Sequence, residues 1–384
     1  MIAMAASLSA IGCRPEAASD SASEPVETAP APTAAAEDGP YAVGARTIRF
    51  TDPRGKDLVV EVWYPASVAE GAEADPYPPT TLSRAAVRDA TTDLRGAPYP
   101  VVGFSHGFAG IRFQSVYLTE HLASHGMVVI APDHARNTFL DLDESAVVEV
   151  LIERPGDVAE AVDEVFRQAA GDGWPAGLVE DGPWIAAGHS FGSYTSLVLG
   201  GALVDYTGVT AFCDESWNLA CSFAATRDAE EVQARVDGTR TADPRVSGVV
   251  PMSPGLWYAF GANGEGLAQA APALMLAGDR DQVLEYREDA RPTFEHHGGP
   301  ATLATFSRAG HYAFSDICAI APIFTTECQE EEAGWVSIEA AQQASATLVT
   351  AWIREHLSLG VDGDAALLEQ PAWDADGLVE LETK

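Results

Sequence analysis

Positive charge is scarce in this chain. Lys56 and Lys384 are the only lysines, and Lys and Arg together number 22 against 57 Asp and Glu. The resulting formal charge of −35 repels phosphate backbones, so a nucleic-acid partner is excluded and strongly anionic substrates are disfavoured. An acidic, lysine-poor composition of this kind suits a secreted or salt-tolerant protein. No apolar run approaches the roughly 20 residues that a membrane-spanning helix needs. Internal repeats are missing. Cysteine is sparse, with five in 384 residues.

What is present begins with a core. Apolar residues make up 47% of the chain, enough for a large buried interior. Four of the cysteines fall into two close pairs, Cys213 with Cys221 and Cys318 with Cys328. Local pairing into two disulfides is the simplest connectivity. A zinc site wants shorter C-x₂₋₄-C gaps, so no metal is expected, and no organic cofactor either. The fifth, Cys13, follows MIAMAASLSAIG. Small apolar residues ahead of a cysteine are similar to the end of a bacterial lipoprotein signal. No basic residue precedes the run, which the reading attributes to a missing upstream portion. It makes Cys13 a lipidation site and a membrane anchor. The protein is then exported, as a lipoprotein of the bacterial periplasm or outer membrane, or otherwise secreted.

Residues 14–40 are rich in Ala, Pro, Glu and Ser without periodicity and read as a disordered tether. Residues 41–360 read as one domain, and 361–384 as an acidic tail that docks or dangles. Within the domain, 44–50 and 57–64 read as a strand pair. After an irregular stretch over 65–99, strand signals at 100–104, 127–132, 184–188, 246–252, 273–278 and 301–306 alternate with helix signals at 113–125, 155–169, 192–201 and 337–357. Such alternation predicts an α/β fold: a mostly parallel central sheet with helices on both faces. The leading strand pair adds antiparallel pairing at one edge. A small lid-like insertion, 202–245, follows the third helix and holds Tyr206, Phe212, Trp217 and Phe223.

Chemistry concentrates at Gly188-His189-Ser190-Phe191-Gly192, a G-x-S-x-G between a strand and a helix. There a sharp turn lifts a serine hydroxyl above the sheet's carboxyl edge, and the flanking glycines avoid clashes in it. Ser190 is the expected nucleophile. It needs a base, and the order in such folds is Ser, then acid, then His. Of the later histidines, His311 follows the 301–306 strand through a short loop. His356 lies in the last helix, and His296 and His297 read as solvated. His311 is the expected base. Asp281 is the expected acid rather than Asp279, since it lies further along the loop after 273–278. Phe191, directly after the nucleophile, and Phe108, in the loop SHGFAG after 100–104, are the expected oxyanion donors. Trp257 and Tyr312 are candidate substrate contacts.

The stretch FSHGFAGIRFQSVYLTEHLASHGMVVIAPDHARN, with LVVEVWYP before it and GHSFG after it, resembles the platelet-activating factor acetylhydrolase family and its dienelactone hydrolase-like bacterial relatives. The resemblance spans roughly 41–356. It implies an α/β-hydrolase fold and a Ser-Asp-His carboxylester hydrolase, with Ser190, Asp281 and His311 as triad and Phe108 and Phe191 as oxyanion donors. Two departures stand out. Ser193 replaces the family's usual second glycine, and dienelactone hydrolases proper use cysteine where this chain has Ser190. The expected activity is hydrolysis of short-acyl, small-molecule esters through an acyl-enzyme, by a monomer. A polyesterase similar to bacterial cutinases and a non-catalytic binding protein on a hydrolase fold are the alternatives.

Overall fold

Val101–Ser105 and Val128–Pro132 are buried at every position. Strands with no polar face must be covered on both sides, and helices on either side of a parallel sheet do this. The computed structural model describes residues 28–216, 221–222, 227–239, 241–321, 326–328, 334–369 and 377–384. Its strands are β1 (Ala42–Thr51), β2 (Asp57–Ser67), β3 (Val87–Arg88), β4 (Thr91–Thr92), β5 (Val101–Ser105), β6 (Val128–Pro132), β7 (Trp184–His189), β8 (Val246–Met252), β9 (Ala273–Gly278), β10 (Ala301–Phe306) and β11 (Val379–Thr383). They form one sheet in the order β11-β10-β9-β8-β7-β5-β6-β2-β1-β3, with β4 on β2. From β6 across to β10 every pairing is parallel. β2 joins β6, and β1 joins β2, antiparallel, so the leading pair sits where the sequence puts it.

Helices α1 (Val116–Ser124), α2 (Val147–Ala169), α3 (Phe191–Leu199) and α4 (Thr207–Glu215) follow in chain order. Two apolar clusters mark the two faces of the sheet. Residues of α2 and α3, such as Val162 and Leu197, belong to one; Leu118 of α1 and Leu348 of the Ile338–His356 helix belong to the other.

Three segments depart from the sequence reading. Helix α2 starts at Val147, not at 155, and runs through Pro155. Proline in a helix interior costs about 3 kcal/mol. Burial of Val148, Val150 and Ile152 at roughly 1.5–3 kcal/mol each outweighs it. Of the tether expected over 14–40, the described part, 28–40, packs against the domain instead of hanging free. Ala35 is fully buried, His121 and His125 bond the carbonyls of Ala35 and Glu37, and Arg354 donates to that of Thr33. The tail contributes a sheet strand, since β11 pairs antiparallel with β10. Cys13, Trp217, Phe223 and residues 1–27 lie outside the described residues. Among those described, no helix is long and apolar enough to cross a membrane.

Candidate active site

The turn between β7 and α3 carries Ser190 at φ 57°, ψ −119°, a conformation L-residues rarely adopt. Close packing enforces it. A Cβ on Gly188 would lie 2.2 Å from the Gly192 carbonyl oxygen, and one on Gly192 would lie 1.9 Å from that of Ser105. Only glycine fits at either place. Ser190 precedes α3 as its N-cap, yet its side chain makes no capping hydrogen bond, so the hydroxyl is not spent on the helix. Ser193, at the position of the missing second glycine, donates its hydroxyl to the Ser190 carbonyl at 2.6 Å.

His311 opens a 3-10 turn, His311–Phe314, just beyond β10. Its Nδ1 lies 2.7 Å from Asp281 Oδ2, in the loop after β9. Asp281 Oδ1 accepts the backbone N–H groups of Val283 and Leu284, each at 2.8 Å. Burial by itself would raise the Asp281 carboxyl, but His311 and those two amides hold it below its usual range. Burial likewise pushes His311 down, and Asp281 overrides this and lifts it above 6.5. Nδ1–H therefore donates to the carboxylate, leaving Nε2 as the base end of the ring. Asp279 is exposed and accepts the Arg308 backbone N–H at 2.6 Å, as a loop clamp apart from His311. The other late histidines lie elsewhere. His296 stacks on Trp257 and His356 on Trp352. His297 is buried rather than solvated, bonded to the carbonyls of Gly299 and Ala271.

The loop after β5 comes against the elbow, where a Cβ on Gly107 would lie 3.3 Å from the Ser190 Cβ. Phe108 follows it, half-buried, and Phe191 is the first residue of α3, where backbone N–H groups have no intrahelical acceptor. The two expected donors thus sit on the two segments that meet at Ser190. Trp257, half-buried, donates its indole N–H to the Glu288 carbonyl. Tyr312, half-buried, stands edge-on to His311 at 5.1 Å between ring centroids. Phe212 of α4 stacks on Tyr258 at 3.9 Å, which fastens the insertion to the loop after β8. Both cysteine pairs are bonded, Cys213–Cys221 and Cys318–Cys328, as befits an oxidising compartment.

Several polar residues around this centre have no sequence signature. His189 Nε2 donates to the His311 carbonyl at 2.8 Å, and its Nδ1 accepts from Gln114 Nε2 at 2.8 Å. Gln114 Oε1 in turn accepts the Gly107 N–H at 3.0 Å. One chain of bonds thus runs from the His311 backbone to the loop of Phe108. Burial pushes His189 down to about 3, so it stays neutral and keeps one tautomer. Beneath the same loop, fully buried Arg154 donates to the Ser105 hydroxyl, the His106 carbonyl and Asn137, with its guanidinium 4.4 Å from the Phe191 ring centre.

Residues 80–157 match the family model described as platelet-activating factor acetylhydrolase, isoform II. The structure is similar to that of a ferulic acid esterase from Streptomyces cinnamoneus. That match has a TM-score of 0.60 and 22% identity, and covers 91% of this chain and 99% of that one. No protein of curated function matches the chain. The fold is that of an α/β hydrolase, and over residues 80–157 the chain carries the pattern of the platelet-activating factor acetylhydrolases.

Proposed function

We propose that the protein is a serine carboxylester hydrolase in which Ser190, His311 and Asp281 act as a triad. Ser190 Oγ attacks the ester carbonyl while His311 Nε2 takes its proton. Asp281 holds the imidazole tautomer and stabilises the imidazolium. The N–H groups of Phe108 and Phe191 stabilise the oxyanion. His311 returns the proton to the leaving alcohol, and water then hydrolyses the acyl-enzyme by the same route. The observation that carries this reading is the buried Asp281–His311 pair at 2.7 Å, whose backbone is bonded by the residue just before the strained Ser190. No step requires a metal or organic cofactor.

The proposed substrates are small esters with short acyl groups. Tyr312 stands edge-on to His311 and Phe212 packs against Trp257; these aromatics support a confined pocket, which gains about 0.8 kcal/mol per methylene only until space runs out. We place the protein outside the cytoplasm, anchored through a lipidated Cys13. The test is hydrolysis of p-nitrophenyl acetate, butyrate, octanoate and palmitate, with methyl ferulate alongside. Activity should fall with acyl length. S190A should abolish turnover, H311A should cost several orders of magnitude in kcat, and D281N should cost far more than D279N. The wild-type kcat/KM should rise with pH as His311 deprotonates, with its midpoint above the ordinary imidazole value. Turnover surviving in S190A defeats the assignment. An optimum at palmitate or at methyl ferulate replaces the short-acyl class by lipids or by aromatic acyl esters.

A further inference from the structure

The turn that carries His311 meets a second acidic residue, which the triad does not use. Glu327 is 3% exposed. Its carboxylate accepts the Tyr312 backbone N–H at 2.8 Å and acts on neighbouring His311. The Tyr312 amide lies in the opening of the His311–Phe314 turn, where no partner exists within the turn. A Cβ on Gly310 would lie 2.2 Å from the Glu327 carboxyl carbon, so glycine there lets the carboxylate close on the backbone.

Glu327 is brought to this place by a covalent link. Its neighbour Cys328 is bonded to Cys318, on the short Ile317–Ile320 helix that follows the His311 turn. That helix is pinned in turn by Asp316, which accepts from the Arg84 side chain and from the Tyr117 backbone N–H. The disulfide thus fastens Glu327 to the same block of chain that carries His311. Burial pushes the Glu327 carboxyl above its usual range, while the Tyr312 amide and His311 favour the carboxylate; one amide could be met by a neutral acceptor, so an acid kept here at that cost calls for a role beyond capping.

We propose that Glu327 is a positioning residue for His311, delivered by the Cys318–Cys328 disulfide, and that it holds the histidine turn in register with Asp281. The inference rests on His311 being the general base. The charged and titratable groups facing His311 are Asp281, which bonds its ring, Glu327 and Asp289, which act on it through space, and His189, which is neutral. Those facing Glu327 are His311 and Asp281, with Tyr312 beside it. The Glu327 charge supports the protonated form of His311. Its loss therefore has a signature that a plain structural cap lacks: the acid limb of kcat/KM moves to lower pH.

The test compares E327Q, the C318S/C328S pair and the triple variant with wild type, beside S190A. E327Q keeps the side-chain shape and one acceptor oxygen. Its kcat is expected to fall about tenfold with KM nearly unchanged, and its acid limb to move to lower pH. The disulfide pair should change both in the same directions. The triple variant should be no worse than the poorer of the two, since residues acting as one unit are non-additive. Wild-type kcat and an unmoved acid limb in E327Q would overturn the proposal. Full additivity in the triple variant would overturn the role of the disulfide. If the cysteine variants do not fold, the E327Q profile alone decides. Turnover surviving in S190A would instead remove the triad reading, and this inference with it.

Discussion

Arg154 is fully buried, and its donors go to Thr195, Asn137, Ser105 and the His106 carbonyl rather than to a carboxylate. Burial pushes its guanidinium down to about 9, so the charge survives at neutral pH beneath the loop of Phe108. Removing it leaves at least two acceptors buried without donors, at about 1–3 kcal/mol each. Arg154→Met is expected to lose about 3 kcal/mol in chemical denaturation and to lower kcat, because the floor of the Phe108 loop loosens. A change below about 0.5 kcal/mol would show that the neighbours repack without it. At this scale, legibility divides along one line. Ser190, Asp281 and His311 are readable because a short motif and chain order constrain them. Arg154, His189, Gln114 and Glu327 are not, because no motif or chain order ties them to their partners. Gln114 and His189 are 75 residues apart, and His189 and His311 are 122 apart. His189 does occupy the variable position of the elbow, but nothing in the sequence marks it as the link between two loops.

At the scale of elements, apolar runs made the strands legible, and their turn chemistry did the same for the loops that bear the site. What escaped was structure whose local signal points elsewhere. The helical spacing of apolar residues marks α2 only from 155, yet the apolar residues ahead of Pro155 extend it back to Val147. Residues 379–383 alternate apolar and acidic, VELET, and that is an edge-strand pattern with charges outward. Acidic composition over the whole tail hid it. The insertion is legible as a unit but not in its attachment, which rests on the face-to-face contact of Phe212 with Tyr258. Phe212→Ala removes an aromatic pair worth about 0.5–1.5 kcal/mol beyond its burial. It should free α4 from the loop that carries Trp257. The expected result is a KM several-fold higher for butyrate and octanoate esters with kcat retained, the pattern of lost uniform binding. An unchanged KM would place the insertion away from the substrate.

Over the whole molecule, acids outnumber bases 57 to 22, so 35 carboxylates remain after every Lys and Arg has been matched. Many cations are already committed to several acids at once. Arg245 meets Asp163, Asp181 and Asp243, and Arg54 meets Asp52 and Asp157. Salt acts on both kinds of interaction. It weakens exposed ion pairs, whose individual worth is about 0–1 kcal/mol. It also screens repulsion among the surplus carboxylates, which the folded state crowds together and the unfolded chain spreads out. With the surplus at 35 and most pairs shared around few cations, the repulsive contribution is the larger. Raising NaCl from about 10 mM to about 0.5 M shortens the screening length from roughly 30 Å to a few ångströms. The Tm is therefore expected to rise by several degrees over that range, with most of the gain below about 0.2 M, where exposed charges a Debye length apart become screened. Calorimetry in NaCl and KCl separates this from the surface exclusion that sulfate would add. A Tm that falls with salt would mean that the shared arginine networks outweigh the repulsion, and that the acidic surface is held together by its few cations.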